Sequence, residues 1–173
     1  KLKMRMVKLG KKASDETRKK MHESHSTPDA VQEKRERRSR QIFPDRDSRS
    51  VELAIQGILK SSDISFTAQH LIKLEHSYHR ADILIKPNLI IEGFGDYWHF
   101  NPRKYDGESL QKMREKIIKP REVWEYDKYV IDGMQKQGYK VLVVWEYDLK
   151  KNTEETKKKI LEFVNNPHST RTF

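Results

Sequence analysis

Apolar positions in this chain cluster after residue 48 and change period several times. Val51, Ala54, Ile55, Ile58 and Leu59 fall at i, i+3, i+4, i+7 and i+8, the spacing of an amphipathic helix, with Ser50 placed to cap it. Extended segments are expected near residues 64–74. Ile83–Ile85 and Leu89–Ile91 are β-rich runs either side of Lys86-Pro87-Asn88, a favourable turn sequence, and together predict a hairpin. Residues 100–120 are polar and read as loop plus helix. Helical spacing returns over about 121–137 and stops at Gly138. The continuous apolar run Lys140–Glu146 then predicts a buried strand. A closing helix is expected over about 153–165, where Asn152 and Glu155 have the spacing of a capping box. The order α, β-hairpin, α, β, α predicts an α/β domain, a mixed β-sheet with flanking helices. No internal repeat is visible.

Residues 1–47 break this pattern. They are polar, charged and nearly free of aromatics, as expected of an extended basic arm or linker ahead of a domain at 48–173. Within the arm Ser14 is placed to cap a short helix, with Asp15 and Glu16 in its first turn. The mixed-sign run at 33–40 reads as a solvated helix or linker.

Charge divides along the same boundary. The chain of 173 residues carries a formal net charge of +10, and residues 1–50 hold 16 Lys/Arg against 8 Asp/Glu, leaving the remainder close to neutral. A near-neutral body with a basic arm is the footprint of a polyanion binder. A solubilising tail or a ribosome-associated extension would show the same excess. The absence of cysteine excludes disulfides and Cys-ligated zinc and fits a reducing cytoplasm. No apolar run approaches the roughly 20 residues needed to span a bilayer, so no membrane partner is expected. The chain opens on Lys1 rather than Met, as a piece of a longer protein would.

The candidate chemistry lies in Asp82–His99, "DILIKPNLIIEGFGDYWH". In a hairpin turning at 86–88, Asp82 lies roughly opposite Glu92. Two carboxylates so placed repel unless a cation sits between them or one takes up a proton; Mg²⁺ (or Mn²⁺) beside a substrate phosphate suits such oxygen ligands. His99 follows as a candidate acceptor for a proton from water. Asp127 lies four after Val123, three before Val130 and four before Ile131, on the apolar stripe of its helix. A carboxylate there needs a partner, and His99 is the expected one, with an Arg or Lys at the helix edge as the alternative. Glu52 in the first turn of its helix is explained by favourable charge placement alone. His76 and His79 read as loop residues, and Trp145 as core.

At these residues the chain resembles the very-short-patch-repair endonuclease family within the PD-(D/E)XK nuclease superfamily. It looks closest to phage and intron-associated homing endonucleases with a Glu–Asp–x–His–Asp signature. The likeness runs from about residue 49 to 163, on "SVELAI", "RADILI", "IEGFGDYWH" and "EYDKYVIDGMQKQGYKVLVVWE". The segment "GKKASDETRKKMHESHS" is similar to the nuclease-associated modular motif, which implies a short helix and basic stretch lying on DNA. The resemblance implies a restriction-endonuclease-like core, Asp82 as metal ligand with Glu92 as a second, and His99 as the catalytic histidine. Glu52 and Asp127 would complete the acidic–His cluster. Tyr97 and Trp98 match family aromatics that wedge into a distorted duplex.

Two departures matter. The repair enzymes carry a Cys/His zinc site that this cysteine-free chain cannot form. Phe94 stands where related sequences have a polar group and where the superfamily's lysine would fall; either His99 does that work or the site is altered. The expectation is a Mg²⁺-dependent DNA endonuclease acting on double-stranded DNA in the cytoplasm of a phage-infected or bacterial cell, with a homodimer on the target as one arrangement. Lys11, Lys12, Arg18, Lys19 and Lys20 of the arm would contact phosphates, and Arg80 or Lys73 would face the developing charge. The alternatives are a DNA-binding module on a degenerate nuclease fold, a mismatch-nicking enzyme and an RNA-associated structural protein.

Overall fold

A computed structural model of the chain describes residues 50–167, with Ser14–Thr17, Lys19, Lys20, Thr27, Glu33 and Arg37 of the preceding segment. The chain divides into two compact units, residues 1–41 and 42–173. In the first, Asp15–Thr17, Lys19 and Lys20 are helical. Ser14 Oγ accepts the Thr17 N–H at 3.2 Å, the expected N-cap, and Lys20 pairs with Glu16 at 3.0 Å one turn away. Lys11, Lys12 and Arg18 lie outside the described residues.

The second unit is an α/β domain with a mixed sheet. Its elements are α1 (Ser50–Ser61), β1 (Thr67–Lys73), β2 (Tyr78–Ile85), β3 (Leu89–Phe94), β4 (Gln111–Met113), β5 (Lys116–Ile118), α2 (Pro120–Lys136), β6 (Lys140–Trp145), α3 (Glu146–Lys151) and α4 (Thr153–Asn165). The main sheet has the order β1-β2-β3-β6. β1, β2 and β3 pair antiparallel, whereas β6 returns parallel to β3 after α2. β3, an inner strand, and β6, at the edge beside it, are apolar and buried along nearly their whole length, as strands covered on both faces must be.

Two cores cover the two faces. Val51, Ile55 and Leu59 of α1 pack with Ile83, Ile91, Val144 and with Ile160 and Phe163 of α4. Val130, Ile131 and Met134 of α2 pack with Ile72, Leu84, Ile90 and Val143. Gly93 lets α1 sit directly on β3: a Cβ there would stand 2.9 Å from Val51 Cγ1 and 3.4 Å from Glu52 N. That close approach brings Glu52 to the end of the sheet. α2 ends at Gly138, which is left-handed at φ +88°. Gly138 N–H donates to Gln135 O and Tyr139 N–H to Met134 O, the paired bonds of a Schellman cap.

Four expectations are corrected. The helix in 100–120 is instead the β4–β5 hairpin, in which Gln111 faces Ile118 and Lys112 faces Ile117; the β-branched pair Ile117-Ile118 suits strand, and Arg114 at φ +54° makes the turn. The run ending "VVWE" is strand only to Trp145, because Glu146 opens α3. Asn152 caps α4 without a side-chain bond, so there is no capping box; Thr153 Oγ1 turns back to Leu149 O at 2.7 Å instead. Ser50 is the first residue of α1 rather than a cap ahead of it.

Candidate active site

β2 and β3 stop pairing at Ile83–Ile91, and the next step of the ladder is taken over by a side chain. Gly93 N–H donates to Asp82 Oδ2 at 2.9 Å. Asp82 therefore sits where the two strands part, at the mouth of a cleft of about 510 Å³. Glu52, Asp82, Glu92, His99, Asp127, Arg80 and Trp98 all line it.

Three carboxylates crowd one wall. Glu52 and Glu92 are each only 4% exposed. The Gln69 amide bridges two of them, donating to Glu52 Oε2 at 3.0 Å and to Asp82 Oδ1 at 3.4 Å, and Gln56 donates to Glu52 Oε1 at 3.0 Å. Gln69 holds this position from a left-handed backbone, φ +54°, an uncommon conformation for a residue with a Cβ. Arg80 clamps the same residue through its carbonyl at 2.9 Å. Burial, then the negative charges of Glu92 and Glu52, push the Asp82 carboxyl up to about 8, with Gly93 N–H and His79 pulling the other way. At neutral pH this carboxyl holds a proton unless a cation displaces it.

That surplus of buried oxygen donors is chemically what a hard divalent cation takes. Among the described residues no three His, Asp or Glu side chains already converge as a ligand set. Asp82 and Glu92 are the residues that could hold such an ion, with water and phosphate completing its shell, the habit of Mg²⁺.

His99 lines the same cleft. Its Nδ1 lies 2.8 Å from Asp127 Oδ2, the pairing expected from the helical stripe. With the Nδ1 proton on that bond, Nε2 keeps the free lone pair. The ring is also stacked on Phe94, centroids 3.8 Å apart and planes within 5°. Phe94 is thus the floor beneath the imidazole. α2 supplies a second anchor three residues before Asp127: Trp124 Nε1 donates to His99 O at 3.0 Å and Phe100 O at 2.8 Å.

The turn bearing Trp98 and His99 is pinned from below by residues the sequence did not single out. Buried Asp96 accepts from Asn101 at 2.7 Å, Lys104 at 2.5 Å and Tyr147 N–H at 3.3 Å, while its own N–H donates to Glu146 at 3.1 Å. Burial raises the Asp96 carboxyl, but those three donors outweigh it and hold the group below the usual carboxylate range. The only sequence sign was an Asp in a Gly-containing turn, which is too common to single out.

His79 overturns its expectation. It lies in β2, not a loop, with Nε2 3.0 Å from Glu92 Oε1. Burial lowers its pKa, yet the bond to Glu92 and the charges of Glu92, Asp82 and Asp127 prevail and raise it. The sequence offers little sign of it, since β2 begins at Tyr78, ahead of its apolar run. His76 stays in the exposed turn beside Glu75. Lys73 is exposed on β1 and does not line the cleft. Arg114, from the β4–β5 turn, does, with its guanidinium 4.9 Å from the Trp98 ring. Tyr97 is 44% exposed beside it, and Trp145 is half-buried against Phe94 rather than fully core. Among the described residues no helix is long and apolar enough to cross a membrane.

No protein-family model and no curated protein matches the chain. Among solved structures it is similar to the homing endonuclease I-Bth0305I catalytic domain, at 19% identity and a TM-score of 0.46, over 68% of this chain and 96% of that one.

Proposed function

We propose that the chain is a metal-dependent DNA endonuclease with a PD-(D/E)XK-like site. One observation carries the reading: a buried carboxylate cluster and a histidine fixed on two sides line one cleft. A divalent cation held by Asp82 with Glu92 would supply positive charge beside the scissile phosphate. His99 Nε2 takes a proton from the attacking water; Asp127 holds the tautomer and stabilises the imidazolium that results. Phe94 keeps the ring in plane. Arg80, together with His79, whose affinity for a proton Glu92 raises, faces the negative charge that develops on phosphate. The charge excess of the first 50 residues favours a polyanionic substrate and predicts affinity that falls steeply with salt. One site cuts one strand, so a double-strand break of the homing type takes two chains on the target or successive nicks; mismatch nicking needs one.

The test is nicking of supercoiled plasmid with Mg²⁺ or Mn²⁺ against an EDTA control. Wild type should nick only with metal, and Asp82→Ala should abolish nicking while still retarding DNA on a gel. Equal cleavage by Asp82→Ala sinks the metal assignment, and cleavage in EDTA sinks the reaction class.

A further inference from the structure

The β4–β5 hairpin takes no part in the chemistry above, yet it stands at the cleft rim. Its turn residue Arg114 lines the cleft over Trp98, and Tyr97 Oη donates to Lys112 O at 3.4 Å. Two of the most exposed large apolar side chains among the described residues, Leu110 at 70% and Ile117 at 69%, lie on or next to it. Lys112 and Ile117 are register partners and so share a face. Lys112, Arg114 and Lys116 are exposed, and none forms an ion pair among the described residues. Glu115 is the one acid of residues 110–118. Lys116 pairs with Met113 on the other face, so the ribbon carries cations on both faces and at its turn, beside two bare aliphatic side chains.

Resting on the endonuclease reading, we propose that this hairpin is a duplex-DNA docking element, entering a groove beside the cleft with Lys112, Arg114 and Lys116 on phosphates and Ile117 and Leu110 against sugars or thymine methyls. A two-stranded ribbon is about the width of the B-DNA major groove, roughly 12 Å. The cations match a phosphate lattice, and the surface continues into the site that would hold the scissile bond. A protein partner would be expected to present a broader apolar patch and fewer free cations.

The absence of cysteine makes the test local. The full chain with Lys112→Cys, or Ile117→Cys as an independent second position, is labelled with an azide photo-cross-linker. It is then irradiated with a 30-base-pair duplex in EDTA under heparin competition. The control is Lys158→Cys on α4, an exposed position that does not line the cleft. Both hairpin positions should cross-link to duplex at least about tenfold more than the control. Lys112→Ser combined with Arg114→Ala should weaken duplex affinity about tenfold, on the scale of a few lost phosphate contacts. Hairpin labelling no stronger than the control, or confined to single strands or duplex RNA, overturns the assignment. A protein that nicks plasmid without hairpin cross-linking keeps the endonuclease reading and loses this one; cross-linking without metal-dependent nicking does the reverse.

Discussion

Two histidine–carboxylate pairs flank Asp82, and they are built for different work. His99 meets Asp127 at 2.8 Å and His79 meets Glu92 at 3.0 Å, with both rings about a quarter exposed. His99 offers Nδ1 to a carboxylate set apart on a helix, so its Nε2 faces the cleft side free. His79 offers Nε2 to Glu92, and the charges of Glu92 and Asp82 both raise its affinity for a proton. His99 comes from a turn locked by Asp96, Trp124 and Phe94, whereas His79 is simply a strand residue. The difference teaches that pairing with a carboxylate does not define a base. On the proposed mechanism, the nitrogen used and the company the carboxylate keeps would decide whether the imidazole takes protons or holds one.

The largest expected effect breaks the pairs apart kinetically. His99→Ala should lower the metal-dependent nicking rate by about 10²–10⁴-fold, the range for a positioned general base. His79→Ala should cost about tenfold or less, since it removes one charge among several. Both rates come from single-turnover plasmid nicking at saturating enzyme. Equal losses would erase the distinction and make the two histidines one functional unit.

Supports of His99 without counterparts at His79 come next. Asp127→Asn keeps the shape but favours the wrong tautomer, and should slow nicking by about 10²-fold with little further loss when added to His99→Ala. Phe94→Leu keeps the apolar volume and removes the stack. An aromatic pair is worth about 0.5–1.5 kcal/mol, so the slowing should be no more than about tenfold. Wild-type rates in Phe94→Leu would show that Asp127 alone orients the ring.

Much of this contrast was legible beforehand, for reasons of periodicity. Asp127 interrupts an apolar helical stripe, so its need for a partner could be read directly, and Asp82 opposite Glu92 followed from the turn at 86–88. His79 was missed because β2 begins at Tyr78, before any recognisable apolar run, and a half-buried strand start looks like loop. The β4–β5 hairpin was hidden by the polar character of 100–120, where only Ile117-Ile118 hints at strand. Gln69 could not be foreseen at all: its left-handed backbone is imposed by the carboxylates and Arg80 around it, not by its own preference.

The last effect concerns folding rather than rate and separates the two sides by pH. Without metal, native Asp82 keeps its proton up to about pH 8, while the unfolded chain releases it near the ordinary value of 3.8. Between those limits the native state binds more protons than the unfolded one, so stability falls as pH rises, by up to about 1.4 kcal/mol per pH unit while that difference is complete. His79 adds the same sign: its raised pKa stabilises the native state below the ordinary histidine value, and that contribution disappears as pH climbs through the folded one. Asp96 and Glu146, both held low, act in the acid range instead, where their stabilisation is lost as pH falls. Melting in EDTA from pH 5 to 8 should therefore show Tm declining by several degrees. Asp82→Asn should flatten most of that slope and melt higher than wild type at pH 8, and His99→Ala should leave the slope in place. Mg²⁺ should restore Tm at pH 8 in wild type but not in Asp82→Asn. A slope unchanged in Asp82→Asn would mean that the proton resides on the His79–Glu92 pair instead, and the cation would then have to be sought at Glu92.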